Sequence, residues 1–267
     1  KDASMILEAI TGHDPMDSTS AKLPRMSNIS DNIEKFNPKG LKIGIPKEYN
    51  HPSLHEDVRK HWMEIADLLK RSGAEIVDIS MPHTNAGVAV YYIIGPAEAS
   101  SNLSRYDGVR YGLRVGEGNY DLEQMYELTR SNGFGQEVQR RILMGTFVLS
   151  SENYDNCYLQ AQRVRRLIKN DFDDAFKQVD IILTPSATGE AFAMNAKLSP
   201  LEMYMNDIFT IPASLAGMPC MSIPVGLSSG GLPLGMQLIT KHFDEELMLK
   251  AAHFIETNIN YKNIYKL

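Results

Sequence analysis

Leu41-Lys42-Ile43-Gly44-Ile45, the stretch from about Ser53 to Arg71, and Ala74-Glu75-Ile76-Val77-Asp78-Ile79 decide the fold. The first and third are short, rich in isoleucine and valine, and read as strands. Between them Leu54, Val58, Trp62, Ile65 and Leu69 recur at helical spacing, and Gly73 supplies a stop. Strand, helix and strand in that order fit a right-handed βαβ unit with parallel strands.

Working outward, Asp180-Ile181-Ile182-Leu183-Thr184 has a continuously apolar centre, as expected of a strand in a sheet covered on both faces. Met221–Val225 and Leu234–Ile239 read as a hairpin turning at Gly230-Gly231. The region from Asn85 to about Lys177 is mainly helical in pattern. Asp121 is placed to cap a helix ending near Gly133, Gln136–Ser151 forms another, and Tyr154–Lys177 a long third. Asp2–Ile10 reads as a short helix with Ile6, Leu7 and Ile10 on one side, and Thr11–Asn37 as a long polar surface connection. Ser199-Pro200-Leu201-Glu202 has the form of a capping box, and Glu245–Glu256 of a closing helix capped by Asp244. The class is α/β.

The chain has 267 residues, 43% of them hydrophobic and 22% charged, which is ordinary globular composition with ample material for a core. No apolar run reaches the roughly 18 residues needed to span a bilayer, so no membrane partner is expected. A net charge of −6 argues against nucleic acid as the main direct partner. Cys157 and Cys220 lie far apart without metal-type spacing and read as reduced thiols of a cytoplasmic protein. The N-terminus has no initiator methionine and no signal-peptide pattern, and is expected to begin inside a longer protein.

Local spacing offers no catalytic constellation and no metal site. His51, His55 and His61 lie close in sequence but lack the cysteine or carboxylate partners zinc prefers, and read as a solvated helix face. Ser228-Ser229-Gly230-Gly231 has no specified base beside it and reads as a tight turn. Two charges stand out instead. Arg141 shares a helical stripe with Val138, Ile142, Gly145 and Leu149, whereas Arg140 points about 100° away. A guanidinium on the inner side needs a partner, either an internal carboxylate or that of a ligand. Gly145, one turn on, admits another backbone or a ligand. Asp207 stands at a helix C-terminus, where the dipole disfavours a carboxylate and calls for a cation, most simply in a salt bridge.

Several segments carry a resemblance. They are Leu7-Glu8-Ala9-Ile10-Thr11-Gly12-His13-Asp14-Pro15-Met16-Asp17-Ser18-Thr19-Ser20, Gly40–Tyr49, Glu98-Ala99-Ser100-Ser101-Asn102-Leu103-Ser104-Arg105-Tyr106-Asp107-Gly108, Gly133-Phe134-Gly135, Arg140–Thr146 and Leu215–Pro219. Collectively they resemble the amidase-signature family, in the branch of glutamyl-tRNA(Gln) amidotransferase A subunits, over essentially the whole chain. The resemblance implies the C-terminal part of a mixed sheet flanked by helices, within a single amidase domain. It implies a glutaminase that supplies ammonia for converting Glu-tRNA(Gln) to Gln-tRNA(Gln). The lysine and two serines that open the amide in this family lie N-terminal to the matched region, so no catalytic residue is expected here and the chain alone should be inactive.

What the resemblance places in this chain is glutamine recognition, by Arg141, Asp207 and Tyr91, with Tyr92 as the alternative tyrosine. It implies no cofactor of its own, with ATP and Mg used by a partner protein of the complex. The implied partners are the B and C subunits of a heterotrimer, with the tRNA held mainly by the B member. Two features depart from the family pattern: Pro96 inside an expected helix, which it should kink, and Cys157 where an aromatic residue is usual. Another amidase-signature hydrolase, or a non-catalytic scaffold with this fold, remain the competing readings.

Overall fold

A computed structural model of the chain describes residues 1–116, 118 and 120–259, and of residues 200–202 only the backbone. Its helices are α1 (Asp2–Ile10), α2 (Ile29–Asn32), α3 (Glu56–Arg71), α4 (Gly87–Leu103), α5 (Leu122–Gly133), α6 (Gln136–Val148), α7 (Gln160–Ala175), α8 (Pro200–Met205), α9 (Ile211–Ala216) and α10 (Glu245–Asn258). The strands are β1 (Lys42–Pro46), β2 (Glu75–Ile79), β3 (Ile181–Pro185), β4 (Cys220–Leu227) and β5 (Pro233–Thr240). They group into two compact units: Lys1–Asn85 with the described residues from Ile168 onward, and Ala86–Leu167.

The first unit is built on a five-stranded sheet of order β2-β1-β3-β5-β4. As the βαβ reading requires, β1 pairs in parallel with β2, and it also pairs in parallel with β3. The hairpin then reverses direction, so β5 runs antiparallel to both β3 and β4 and the sheet is mixed. Every residue of β3 is buried, as its unbroken apolar run implies. Helix α3 lays Val58, Trp62, Ile65 and Leu69 into the same core as Ile43, Ile181, Leu183, Met236 and Leu238, with Met248, Ala252 and Ile255 of α10. Trp62 is 1% exposed, and its indole N–H donates to the Leu183 carbonyl at 3.0 Å. The β1–β3 ladder covers only Ile181 and Ile182, so the indole serves a carbonyl beyond that registered stretch.

Several local expectations need correction. Helix α3 begins at Glu56, not Ser53, because His55 takes the N-cap position and its ring accepts from the Asp57 N–H at 3.3 Å. His61 does not belong to a solvated face. Its Nδ1 lies 2.9 Å from Glu64 and its Nε2 3.1 Å from the Leu227 carbonyl, tying α3 to the hairpin. Within the supposed surface connection, Ile29 and Ile33 are buried against Leu249 around the short α2. In α1 only Leu7 of the apolar side packs inward, while Ile6 and Ile10 are 62% and 74% exposed. Asp244 stands at the N-cap of α10 without a side-chain capping bond. The Ser199–Glu202 capping box depends on side chains outside the described residues.

The hairpin does turn at Ser228–Gly231, with the Ser228 N–H donating to the Leu232 carbonyl and Gly231 at φ +81°. Asp57, in the first turn of α3, accepts from both the N–H and the hydroxyl of Ser229 at 2.8 Å, which holds its carboxyl below the usual range. That contribution is complete above the ordinary carboxylate range and is lost as pH falls through the lowered value.

The second unit is helical. Asp121 caps α5 in a reciprocal capping box with Gln124, as its position implies. Helix α6 stops at Val148, three residues short of the expected Ser151, and the next segment opens as a π-helical turn, Tyr154–Leu159, before α7. Pro96 sits inside α4 without ending it. The neighbour that Gly145 admits is backbone: a Cβ there would collide with the Pro96 carbonyl oxygen and stand 2.7 Å from Ser100 Cβ. Helices α4 and α6 therefore touch main chain to main chain.

Both close contacts can be checked by their effect on stability. Replacing Gly145 by Ala gains about 1 kcal/mol of helix propensity, but a backbone overlap this deep costs more, so a net loss of about 2 kcal/mol is expected in denaturant unfolding. Trp62→Phe keeps the apolar packing but leaves the Leu183 carbonyl without its donor. It should cost about 2 kcal/mol and lower the thermal midpoint measured by circular dichroism.

Candidate functional site

The stripe on α6 is ordered as its spacing implies: Gly145 and Val148 are buried, Val138, Arg141, Ile142 and Leu149 half-buried, and Arg140 exposed. The Arg141 guanidinium is held from two sides. Its Nε donates to Glu137 Oε1 at 2.9 Å, one helical turn back, and its Nη1 donates to the Tyr91 hydroxyl on α4 at 3.1 Å. The glycine contact between α4 and α6 brings the two helices close enough for that second bond. Tyr91 itself lies over Gly95, where a Cβ would come within 3.3 Å of its ring. The Tyr92 ring meets Tyr91 edge-on, with centroids 5.0 Å apart. Of the two tyrosines, it is therefore Tyr91 whose hydroxyl the structure brings to Arg141.

Hydrogen bonding to Arg141 holds the Glu137 carboxyl below its usual range, and Glu137 in turn keeps the guanidinium more firmly protonated. The Arg141 and Glu137 side chains are 36% and 49% exposed, so the ion pair adds little stability. Its consequence is geometric. With Nε given to Glu137 and one Nη1 hydrogen to Tyr91, the other Nη hydrogens have no partner among the described residues and can meet an anion. Tyr91, accepting from Nη1, keeps its own O–H proton for the same anion. The arrangement can bind a carboxylate. Glu137 was not singled out by sequence reading, although acid-to-arginine spacing of i,i+4 was the available signal.

Asp207 lies in the first unit, in the turn between α8 and α9, two residues beyond the end of α8. Its carbonyl accepts from the N–H groups of Thr210 and Ile211 at 3.1 and 3.0 Å, closing a compact turn. The expected salt bridge is not made: the side chain is exposed, and among the described residues its carboxylate has no ion-pair partner. An exposed, unpaired carboxylate on a fixed turn can take an ammonium group. Two residues on, the Phe209 carbonyl accepts from Gln237 of β5 at 3.0 Å, a contact that sequence spacing does not reveal.

The other chemistry-bearing residues are spent on structure. Ser228 donates to Glu190 and its hydroxyl accepts from the Leu232 N–H at 3.1 Å, which fixes the hairpin loop. Among the described residues no group of three or more His, Cys, Asp or Glu side chains could hold a metal ion. Both cysteines are free. No described helix is long and apolar enough to cross a membrane.

Comparison with known proteins agrees with this architecture. The family model "Amidase" matches residues 1–249. The A subunit of the glutamyl-tRNA(Gln) amidotransferase of Rickettsia bellii is 55% identical over 265 residues, which are 97% of this chain and 53% of that protein. The protein of the same name from a Wolbachia of Brugia malayi is 54% identical, over 96% of this chain and 52% of its own length. This chain thus spans about half the length of the curated relatives it matches. Among solved structures, the amidotransferase A subunit from Thermotoga maritima superposes with a TM-score of 0.75 at 35% identity, covering 98% of this chain and 52% of that one. A bacterial aryl acylamidase shares the fold alone, at 16% identity and a TM-score of 0.70 over 96% of this chain and 50% of that one. With a family model over most of its length and relatives 54–55% identical along nearly all of it, the chain belongs to the amidase-signature family.

Proposed function

We propose that the full-length protein is the glutaminase component of a glutamyl-tRNA(Gln) amidotransferase. It hydrolyses glutamine and passes the ammonia to its partners, the B and C subunits, which use ATP and Mg to amidate the glutamate on mischarged tRNA in the cytoplasm. Within it, the present chain is the C-terminal part of one amidase domain. It supplies substrate recognition, and the groups that open the amide lie outside it.

The observation that carries this reading is the Arg141–Tyr91 pair, a guanidinium donating to a hydroxyl that keeps its own proton for a carboxylate. The α-carboxylate of free glutamine is such a group, whereas an amide substrate without a carboxylate would leave the donors unused. Asp207, taken separately, has no ion-pair partner among the described residues and is suited to an ammonium group. Desolvating a zwitterion without a partner for each charge would cost several kcal/mol, so each end needs its own counter-charge. The relatives named for this activity support the assignment at 51–55% identity.

In the full-length protein with its partners, Arg141→Ala should raise KM for glutamine by roughly a hundred-fold, the loss expected for a charge-assisted bond. It should change kcat much less. If glutamine use barely alters, the substrate is a different amide. The 267-residue chain alone should release no ammonia above background from glutamine in a coupled assay, and robust turnover would place the chemistry within it.

A further inference from the structure

Gln237 is out of place chemically. It lies near the centre of β5 between Met236 and Leu238, 2% exposed, in a strand whose other central residues are apolar. A buried amide there is costly unless it is satisfied. Its Nε2 makes two bonds, to the Thr184 hydroxyl on the neighbouring β3 and to the Phe209 carbonyl, both at 3.0 Å. A carbonyl can only accept, so the atom facing Phe209 must be the amide nitrogen. Thr184 is itself fully buried and sits directly across the ladder from Gln237.

The second bond leaves the sheet and reaches the turn that carries Asp207. The Phe209 ring is fixed as well, 2% exposed and stacked on Tyr49 at 5.4 Å between centroids. Asp207, two residues before it, has no ion-pair partner among the described residues, so its orientation depends on its backbone. That backbone is a closed turn from Asp207 to Ile211, and Phe209 is where the turn is pinned to the sheet.

We infer that Gln237 is a positioning residue for Asp207, setting the reach of its carboxylate toward the ammonium group of the substrate. The inference rests on the proposed role of Asp207. Loss of the Gln237 donor frees a buried carbonyl and lets the turn relax, and the effect falls on ammonium recognition, not on the opening of the amide.

The test uses the full-length protein in its complex, with two substrates: glutamine and 4-carbamoylbutyrate, the same amide without the α-ammonium. Gln237→Leu should raise KM for glutamine roughly ten-fold, the size of one buried hydrogen bond. It should leave kcat within about three-fold, with 4-carbamoylbutyrate hydrolysis unchanged. Added to Asp207→Asn, it should cause no further loss, since both act on one contact. Equal loss on both substrates, or additive losses, would overturn the inference. If Asp207→Asn itself leaves the preference for glutamine unchanged, the reading of Asp207 fails instead, which separates the two claims. Should Gln237→Leu not accumulate as folded protein, Thr184→Val removes the other acceptor. A selective loss on glutamine of about two- to three-fold then supports the inference, and an equal loss on both substrates, or none, overturns it.

Discussion

Strand β3 is buried along its entire length, and that places a demand on everything around it. With no water to serve its peptide groups, each must find a partner inside the protein. Strand β1 serves part of one edge, β5 the other, and where the registered β1–β3 pairs stop the Trp62 indole takes the Leu183 carbonyl. The apolar faces of α3 and α10 complete the same core. The mixed character of the sheet follows, since the parallel side is made by a crossover helix and the antiparallel side by a tight hairpin.

Unit by unit, the candidate residues are held by the same kind of economy. In the helical unit the absence of a side chain at Gly145 lets two backbones touch, which sets Tyr91 against Arg141. In the sheet unit a single buried amide reaches from β5 to Phe209 beside Asp207. Neither device stabilises much by itself. A half-exposed ion pair and one hydrogen bond are each worth on the order of 1 kcal/mol. What they do is narrow the arrangements open to the guanidinium and to the turn that carries Asp207. For binding a small charged substrate, orientation fixed in advance counts for more than the strength of any one bond.

Features decided within one or two helical turns were legible in the chain. The βαβ unit, the buried β3, the Asp121 cap and the placement of Arg141 inside and Arg140 outside all follow from spacing. Local reading failed where the outcome depended on residues distant in the chain. His61 was expected in water because its helix neighbours are polar, but the Leu227 carbonyl lies 166 residues away in sequence. The Asp207 salt bridge was the simplest answer to a carboxylate near a helix end, and no described cation answers it. Pro96 lies within α4, which continues past it, and its carbonyl is what Gly145 meets.

By itself, then, the sequence determined the elements and their class, because periodicity, caps and turn residues act through bonds between near neighbours in the chain, while the family followed from the resemblance of whole segments. Tertiary structure alone decided that Tyr91 rather than Tyr92 presents its hydroxyl to Arg141, across 50 residues, and that Gln237 reaches Phe209, across 28. Such pairings depend on how helices and strands pack, and no spacing rule encodes them. That is why the candidate residues could be named from the chain, while the groups that hold them in place could not.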